Sequence, residues 1–427
     1  MQQSDQSSQD RMPSRGRVVV IGAGIVGACT ALALVRDGWD VTIVEVGTPG
    51  GRQAASYGNG AFLSPASVVP MSMPGLWRKV PGYLLDPLGP LTIRWRSLPR
   101  LSGWLWRFLW AGATEARVRR TAAVLGGLLR DAPDRHLALA ADLGVPGMIR
   151  REGLIYAYPD RDAFAREGLA WSLRRDNGVV WHELEADELH AREPALGPAY
   201  RFAAFVPAGG HCTDPGRWVA TLVDAACARG ARLEHARVTG LCGSQGRLTG
   251  VETSTGHIAC DAAVICAGVA SVALAAQAGD CIPLVSERGY HVQLPGATGG
   301  PCLPVMPSEG KMANTPCAGG VRASGQVELA TVEARPDWRR ADILLENLKA
   351  AWPGLQGASV DRWLGHRPST PDGLPVIGKA SGLQGVCHAF GHGHVGLASG
   401  PITAELVCQI LAGREPTLPL APFAPRW

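Results

Sequence analysis

Residues Arg17–Glu45 read RVVVIGAGIVGACTALALVRDGWDVTIVE, and the fold turns on this stretch. Val18–Ile21 predicts a buried strand that runs into Gly22-Ala23-Gly24-Ile25-Val26-Gly27. A helical pattern follows as far as Gly38, and Val41–Val44 predicts a second strand ending in Glu45. In that strand–turn–helix–strand setting the glycines form a dinucleotide-binding fingerprint. Gly22 allows the tight turn, Gly24 lets a pyrophosphate approach the backbone, and Gly27 lets the helix pack close to the strand. The helix N-terminus offers unpaired N–H groups and a positive dipole end to the phosphates. Glu45 lies where a carboxylate accepts from ribose hydroxyls; it would repel a 2′-phosphate, which disfavours NADP.

Working outward, 427 residues can bury a large core and form two domains. The composition, 46% hydrophobic and 18% charged, is on the apolar side for a soluble protein. A net charge of +4 gives no reason to expect a nucleic-acid partner. The 11 cysteines form no CxxC and no metal-type spacing with histidine. No metal site is predicted, and the thiols are read as reduced, in a cytoplasmic-type compartment. Met1–Arg15 has no apolar core of a secretory signal, and residues 1–16 are predicted to be a disordered tail. The uncharged run Ala262–Gly279 has the length of a membrane span. Its strand-like opening, its break at Ala267-Gly268, and Ser271 and Gln277 predict a strand, a turn and a helix instead.

Leu76–Trp110 carries Trp77, Trp95, Trp104, Trp106 and Trp110 with Arg78, Lys79, Arg94, Arg96, Arg100 and Arg107, against Asp86 alone. Trp with Lys/Arg on an apolar background is the composition of an interfacial membrane contact. The same segment can equally be a helical insertion whose Trp residues pack inward. Further on, Gly153–Tyr158 predicts a strand, Trp218–Arg229 a helix and Ala231–Val238 a strand. From Ile282 to Asp361 short strands separated by Pro and Gly predict an antiparallel sheet.

Four more motifs follow: SERGYHVQ at Ser286–Gln293, GGVRASGQVE at Gly319–Glu328, WLGHRPSTPDGLPVIG at Trp363–Gly378, and AFGHGHVGLASG at Ala389–Gly400. With these strings the chain resembles the D-amino-acid oxidase superfamily of FAD-dependent oxidoreductases, and most of all its bacterial D-amino-acid dehydrogenase-like group. The resemblance covers nearly everything after residue 16. It implies an α/β fold (α+β overall), a relative of the glutathione-reductase-type two-dinucleotide-binding proteins. A Rossmann-like FAD-binding domain would be assembled from 17–75, 195–275 and 362–427. A substrate domain on a mixed or antiparallel sheet would come from 76–194 and 276–361, with the Trp/Arg-rich insertion at 76–110. The active site is expected at the interface, where pockets form preferentially.

Carried onto matching positions, the resemblance assigns Gly22, Gly24 and Gly27 to the FAD pyrophosphate and Glu45 to the adenosine ribose. Ala55, Ser56, Asn59 and Gly60 would line the phosphates and the flavin, Val238 would face the adenine, and Ala267 and Gly268 would pass under the cofactor. Gly365, Arg367, His392, Gly393, His394, Val395, Gly396 and Leu397 would surround the isoalloxazine. Arg322, Tyr290 and His394 are the catalytic candidates. An arginine at the Arg322 motif position pairs with the substrate carboxylate in the look-alike family, in a bidentate geometry that suits a guanidinium. The plainer reading of Arg322 is a salt bridge to Glu328 or Glu333. Gln326 and Ala398 depart from the family pattern. Cys302 and Cys317 lack the context used for covalent flavin, so the FAD is expected to be non-covalent.

The implied reaction is oxidative deamination of a D-amino acid to a 2-oxo acid and ammonia, by hydride transfer from Cα to flavin N5. Electrons would pass to a quinone or other respiratory acceptor. Alternatives are a cyclic or N-substituted substrate such as a hydroxyproline isomer or glycine, or a flavoprotein subunit that needs partner chains. The expected location is cytoplasmic, or peripheral on the inner face of the membrane through 76–110.

Overall fold

The computed structural model describes residues 15–85, 89 and 91–427. The expected tail through Ser14, and Asp86, lie outside the described residues. Arg15 and Gly16 do not continue that tail: the Arg15 N–H donates to the Gly38 carbonyl, and the Gly16 carbonyl accepts from Asp40.

The first unit folds as its sequence predicts. Arg17–Ile21 is flanked in parallel register by Asp40–Glu45 and Ala262–Ile265. The full sheet has six strands, with Arg232–His235 at one end and Val386–Phe390 then Val376–Lys379 at the other. All neighbours are parallel except the last pair. Both faces of this sheet are covered, which is why its central strands are apolar without alternation. On one face pack the helices Ile25–Arg36, Pro215–Ala228 and Gly396–Leu411, sharing a core that includes Leu32, Trp218 and Ile402.

Ala231–Val238, read as one strand, is two. It breaks at Ala236, whose N–H donates to the Glu45 carbonyl. Val238–Ser244 then opens a separate antiparallel sheet with Arg247–Thr253 and Gly256–Ala259. The run Ala262–Gly279 is a strand, a short 3-10 turn and the helix Ser271–Gln277. Among the described residues no helix is long and apolar enough to cross a membrane.

The second large sheet has nine strands and is mostly antiparallel. Toward one edge Val285–Pro295 lies between the edge strand Asp361–Ser369 and Gly320–Leu329. Leu91–Ile93 adds a parallel strand to Gly320–Leu329. Phe202–Val206 and Asp361–Ser369, which the sequence places almost wholly with the nucleotide sheet, pair here instead. Conversely Leu125, Leu128 and Ala132, from the segment assigned to the substrate domain, pack into the nucleotide-side core. The unpredicted helix Arg339–Ala351 closes one face of this sheet through Leu344 and Leu348.

Candidate functional site

A cavity of about 940 Å3 runs between the two sheets, the upper end of the size range of small-molecule sites. One wall is the fingerprint turn. Gly22 has φ +99°, and a Cβ there would lie 2.7 Å from the Cys266 carbonyl oxygen. A Cβ on Gly27 would lie 1.9 Å from the Gly22 carbonyl oxygen, so Gly27 serves the packing behind the turn and does not itself line the cavity. Gly24 is different: a Cβ there would meet only the Ser56 hydroxyl, at 3.5 Å, and would fill open cradle. The N-cap residue Gly24 makes no side-chain cap bond; of the first-turn donors, the Ile25 N–H goes to Ser56 Oγ at 2.9 Å. Glu45 is buried beside it, accepting from the N–H groups of Ala23 (2.7 Å) and Gly47 (3.2 Å). Ala55, Asn59 and Gly60 line the cavity from the loop after the second strand, Val238 from the small sheet, and Ala267 and Gly268 from the strand end at Ile265. A helix N-terminus whose N-cap is a glycine, an open cradle and a buried carboxylate acceptor together fit a dinucleotide pyrophosphate and ribose.

The entry to the last helix forms the floor. His392, Gly393, His394, Val395, Gly396 and Leu397 all line the cavity. The turn is pinned at several points. Gly393 N–H donates to the Pro368 carbonyl at 2.9 Å, and His392 Nε2 lies 3.0 Å from Thr403 Oγ1. His136, which sequence reasoning missed, fixes Leu397 from behind. Its Nε2 lies 2.8 Å from the Leu397 carbonyl oxygen, and its Nδ1 accepts from Trp218 Nε1 at 3.1 Å. Both ring nitrogens are thereby assigned, the imidazole is neutral, and burial pushes its pKa down to about 4. His394 lines the cavity and is exposed to it. Burial lowers its pKa, the nearby Glu287 carboxylate opposes that shift, and the Arg367 cation adds to it.

The opposite wall comes from the second sheet, where strand alternation decides what is presented. Glu287 and Arg367 face each other across neighbouring strands. Arg367 Nη1 lies 3.1 Å from Glu287 Oε1 and also donates to the Gln326 carbonyl at 3.1 Å. Ser369 Oγ donates to Glu287 Oε2 at 2.8 Å. Gly289 makes room for the guanidinium: a Cβ there would fall 2.4 Å from Arg367 Cζ. Gly365 likewise leaves space for the Trp363 ring. Met71, Met73, Leu76 and Leu91 supply an apolar covering. Glu287 and Ser369 were not singled out from the sequence, although the glycine two residues after Glu287 is the mark of a side chain crossing that position.

Two of the three catalytic candidates sit elsewhere. Arg322 is buried but does not line the cavity. Its guanidinium is taken by Gln293 Oε1 (2.7 and 3.2 Å) and by the carbonyls of Tyr57 and Asn59 (3.0 Å each). The loop over it leaves no fork for a substrate carboxylate, and Glu328 and Glu333 are not its partners either. Tyr290 lies on the far face of its strand, in the core with Leu344 and Trp352. Its hydroxyl donates to Glu328 Oε2 at 2.8 Å and accepts from the Asp337 N–H at 3.0 Å. Gln326 has φ +56° at an irregularity in its strand, and lines the cavity. Cys302 and Cys317 lie outside the cavity lining.

The segment 76–110 is two-sided. Trp104 is buried, its Nε1 donating to the Ser369 carbonyl at 3.1 Å. Trp77, Trp95, Trp106 and Trp110 are exposed, each by more than half of its surface.

The model of the family described as "FAD dependent oxidoreductase" (DAO) matches residues 17–410. The chain belongs to this family. FAD is therefore its cofactor, and its chemistry is flavin-dependent oxidation of an amino acid at a CH–NH2 group. A D-amino-acid oxidase of Bradyrhizobium diazoefficiens is 49% identical over 418 residues, 97% of this chain and 99% of the relative. D-amino acid dehydrogenase 2 of Ralstonia nicotianae is 33% identical, over 96% of this chain and 99% of that one. The glycine oxidase structure from Geobacillus kaustophilus superposes with a TM-score of 0.74 at 22% identity, covering 96% and 99% of the two chains. It shares the mixed α/β fold.

Proposed function

We propose that this enzyme oxidatively deaminates a D-amino acid to a 2-oxo acid and ammonia, with Arg367 as the carboxylate clamp. The observation that carries the reading is the Glu287–Arg367 pair facing the cavity among apolar side chains. A zwitterion with an uncharged side chain complements such a surface: guanidinium to carboxylate, carboxylate to ammonium, methionine and leucine to the side chain. The names of the 49% and 33% identical relatives support the D-series.

FAD, when bound, supplies the two-electron acceptor. The chain's own residues orient and deprotonate. Arg367 fixes the carboxylate, and its bonds to Glu287 and Gln326 keep the fork from turning. His394, which lines the cavity with its pKa lowered from the usual imidazole value, accepts a proton from the substrate ammonium at a ring nitrogen. The N–H groups at the entry to the last helix direct a positive dipole end toward the cavity, where negative charge accumulates during the reaction. Met71, Met73 and Leu76 exclude water, and hydrolysis of the released imine then follows in solvent.

For the electrons, the exposed Trp residues of 76–110, with Arg78 and Arg117 over the Trp77 and Trp110 rings, favour a quinone or another respiratory acceptor at a membrane surface. The name of the 49% identical relative favours molecular oxygen as a second reading. Anaerobic bleaching of the bound flavin by a panel of D- and L-amino acids, hydroxyproline isomers and glycine tests the substrate assignment. Rapid bleaching confined to the D-series is expected, and bleaching by the L-series alone would overturn it. Peroxide release in air against reduction of a soluble quinone separates the two acceptors.

A further inference from the structure

The small antiparallel sheet that begins at Val238 carries a cluster with no part in the chemistry above. Cys242 comes from its first strand, Glu252 from its central strand and His257 from its third. Cys242 Sγ lies 3.2 Å from Glu252 Oε1, His257 Nδ1 lies 2.9 Å from the same oxygen, and Sγ and Nδ1 are 3.9 Å apart. A tetrahedral zinc site with bonds of about 2.3 Å to sulfur and about 2.0–2.1 Å to nitrogen and oxygen has ligand–ligand edges of roughly 3.3–3.6 Å. The triangle in the protein is within about half an ångström of one face of that tetrahedron.

A second observation shows that this triangle is built into the sheet. Gly250 on the central strand pairs with Cys242 on one side and Ala259 on the other. A Cβ at Gly250 would fall 2.5 Å from His257 Cε1 and 2.6 Å from Nε2. The missing side chain is therefore the slot through which the imidazole lies across the central strand and reaches a cysteine two strands away. Gly250 does not have the positive φ that would otherwise account for a glycine.

We propose that Cys242, Glu252 and His257 form a site for a divalent cation of the zinc class. The mixed thiolate, imidazole and carboxylate set suits a borderline-soft ion better than Mg2+ or Ca2+. A thiolate and a carboxylate neutralise its two charges. The side chains of His257 and Glu252 are 45% and 50% exposed, which leaves the fourth position to water. The cysteine proton leaves to solvent on binding, and no redox step is involved. The ion would clamp three strands, the first of which starts at the cavity-lining Val238. The sequence hid the site because sheet pairing, and not a CxxC-like spacing, brings the three ligands together.

The test uses the FAD-loaded enzyme, with Co2+ and Zn2+ as probes. One equivalent of Co2+ should give the long-wavelength bands of four-coordinate cobalt, which lie beyond the flavin absorption. Zn2+ should slow alkylation of Cys242, read by peptide mass spectrometry, by on the order of tenfold or more. The exposed Cys281 and Cys302 should react as before. Cys242→Ser and His257→Ala should each abolish the cobalt bands. Gly250→Val should abolish them with all three ligands still present, because it closes the slot. Cobalt bands that persist in Cys242→Ser and His257→Ala, or alkylation of Cys242 indifferent to Zn2+, would overturn the proposal. If Gly250→Val does not fold, the two ligand variants decide.

Discussion

The two walls of the cavity are made in different ways. The nucleotide wall is local: six consecutive residues, Gly22–Gly27, form the turn, the cradle and the helix end. The wall from the second sheet is assembled from strands far apart in sequence, and what it presents depends on which side chains point inward and on what covers them. Glu287 and Gly289 point in, and Tyr290 points away. Arg322 lies beneath the loop Tyr57–Asn59, which uses up its donors. The same residue type thus has opposite duties 45 positions apart, bracing a loop at Arg322 and facing the cavity at Arg367. A local motif fixes position and role together, whereas a strand motif fixes only residue type.

The largest expected effect acts on the whole fold and so sets the baseline for the rest. Burial holds His136 and His211 at about 4 and His291 and His392 at about 3 in the folded protein. The unfolded chain takes up protons at these rings near pH 6.5, so stability is complete above that pH and falls as pH drops toward 4. Each ring contributes a slope of up to about 1.4 kcal/mol per pH unit. Urea unfolding between pH 7.5 and 4.5 should show a steep loss of unfolding free energy, and a flat profile would refute the buried neutral state.

Next come the two arginines. Arg322→Ala strands the carbonyls of Tyr57 and Asn59 and should cost on the order of 3 kcal/mol of stability, read as a lowered Tm. Arg367→Ala should instead lower kcat/KM by roughly 30- to 1000-fold, about 2–4 kcal/mol, with the flavin spectrum retained. An Arg322→Ala variant with intact stability and lost substrate affinity would exchange the roles of the two arginines. Within the nucleotide wall, Gly24→Ala should weaken FAD retention by on the order of tenfold while the apoprotein melts normally, since its Cβ meets little but open cradle. Gly27→Ala should lower the Tm of the apoprotein itself. The smallest effect belongs to Tyr290→Phe. Losing the hydroxyl bonded to Glu328 and Asp337 should cost about 1–2 kcal/mol of stability and leave KM unchanged.

The nucleotide half was legible because its signals are short-range. A glycine at a forced turn, a carboxylate a fixed distance on and an apolar run can be read without knowing the neighbours. The second sheet was legible as an antiparallel sheet, since Pro and Gly punctuate it, but its inward face was not. Tyr290 and Glu287 stand in the same string, SERGYHVQ, and nothing local says which of them faces the cavity. The pairing of Glu287 with Arg367 depends on the register of strands some 80 residues apart. His136 could not be found either, because its task, fixing a carbonyl 261 positions away, leaves no trace beside it.

One stretch of chain closes the cavity and also forms an outer surface. Met71, Met73, Leu76 and Leu91 look inward, and Trp77 and Trp95 look out from the same short run. Any change that widens the chamber for a bulkier amino acid by shifting this backbone therefore also moves the outer tryptophans, so the size of the chamber and the shape of this outer surface are coupled. The two thioethers soften that bond: unbranched methionine side chains can re-pack around differently shaped substrates without a backbone shift. An enzyme built this way can broaden its menu by rotating two side chains, leaving the outer tryptophans where they were.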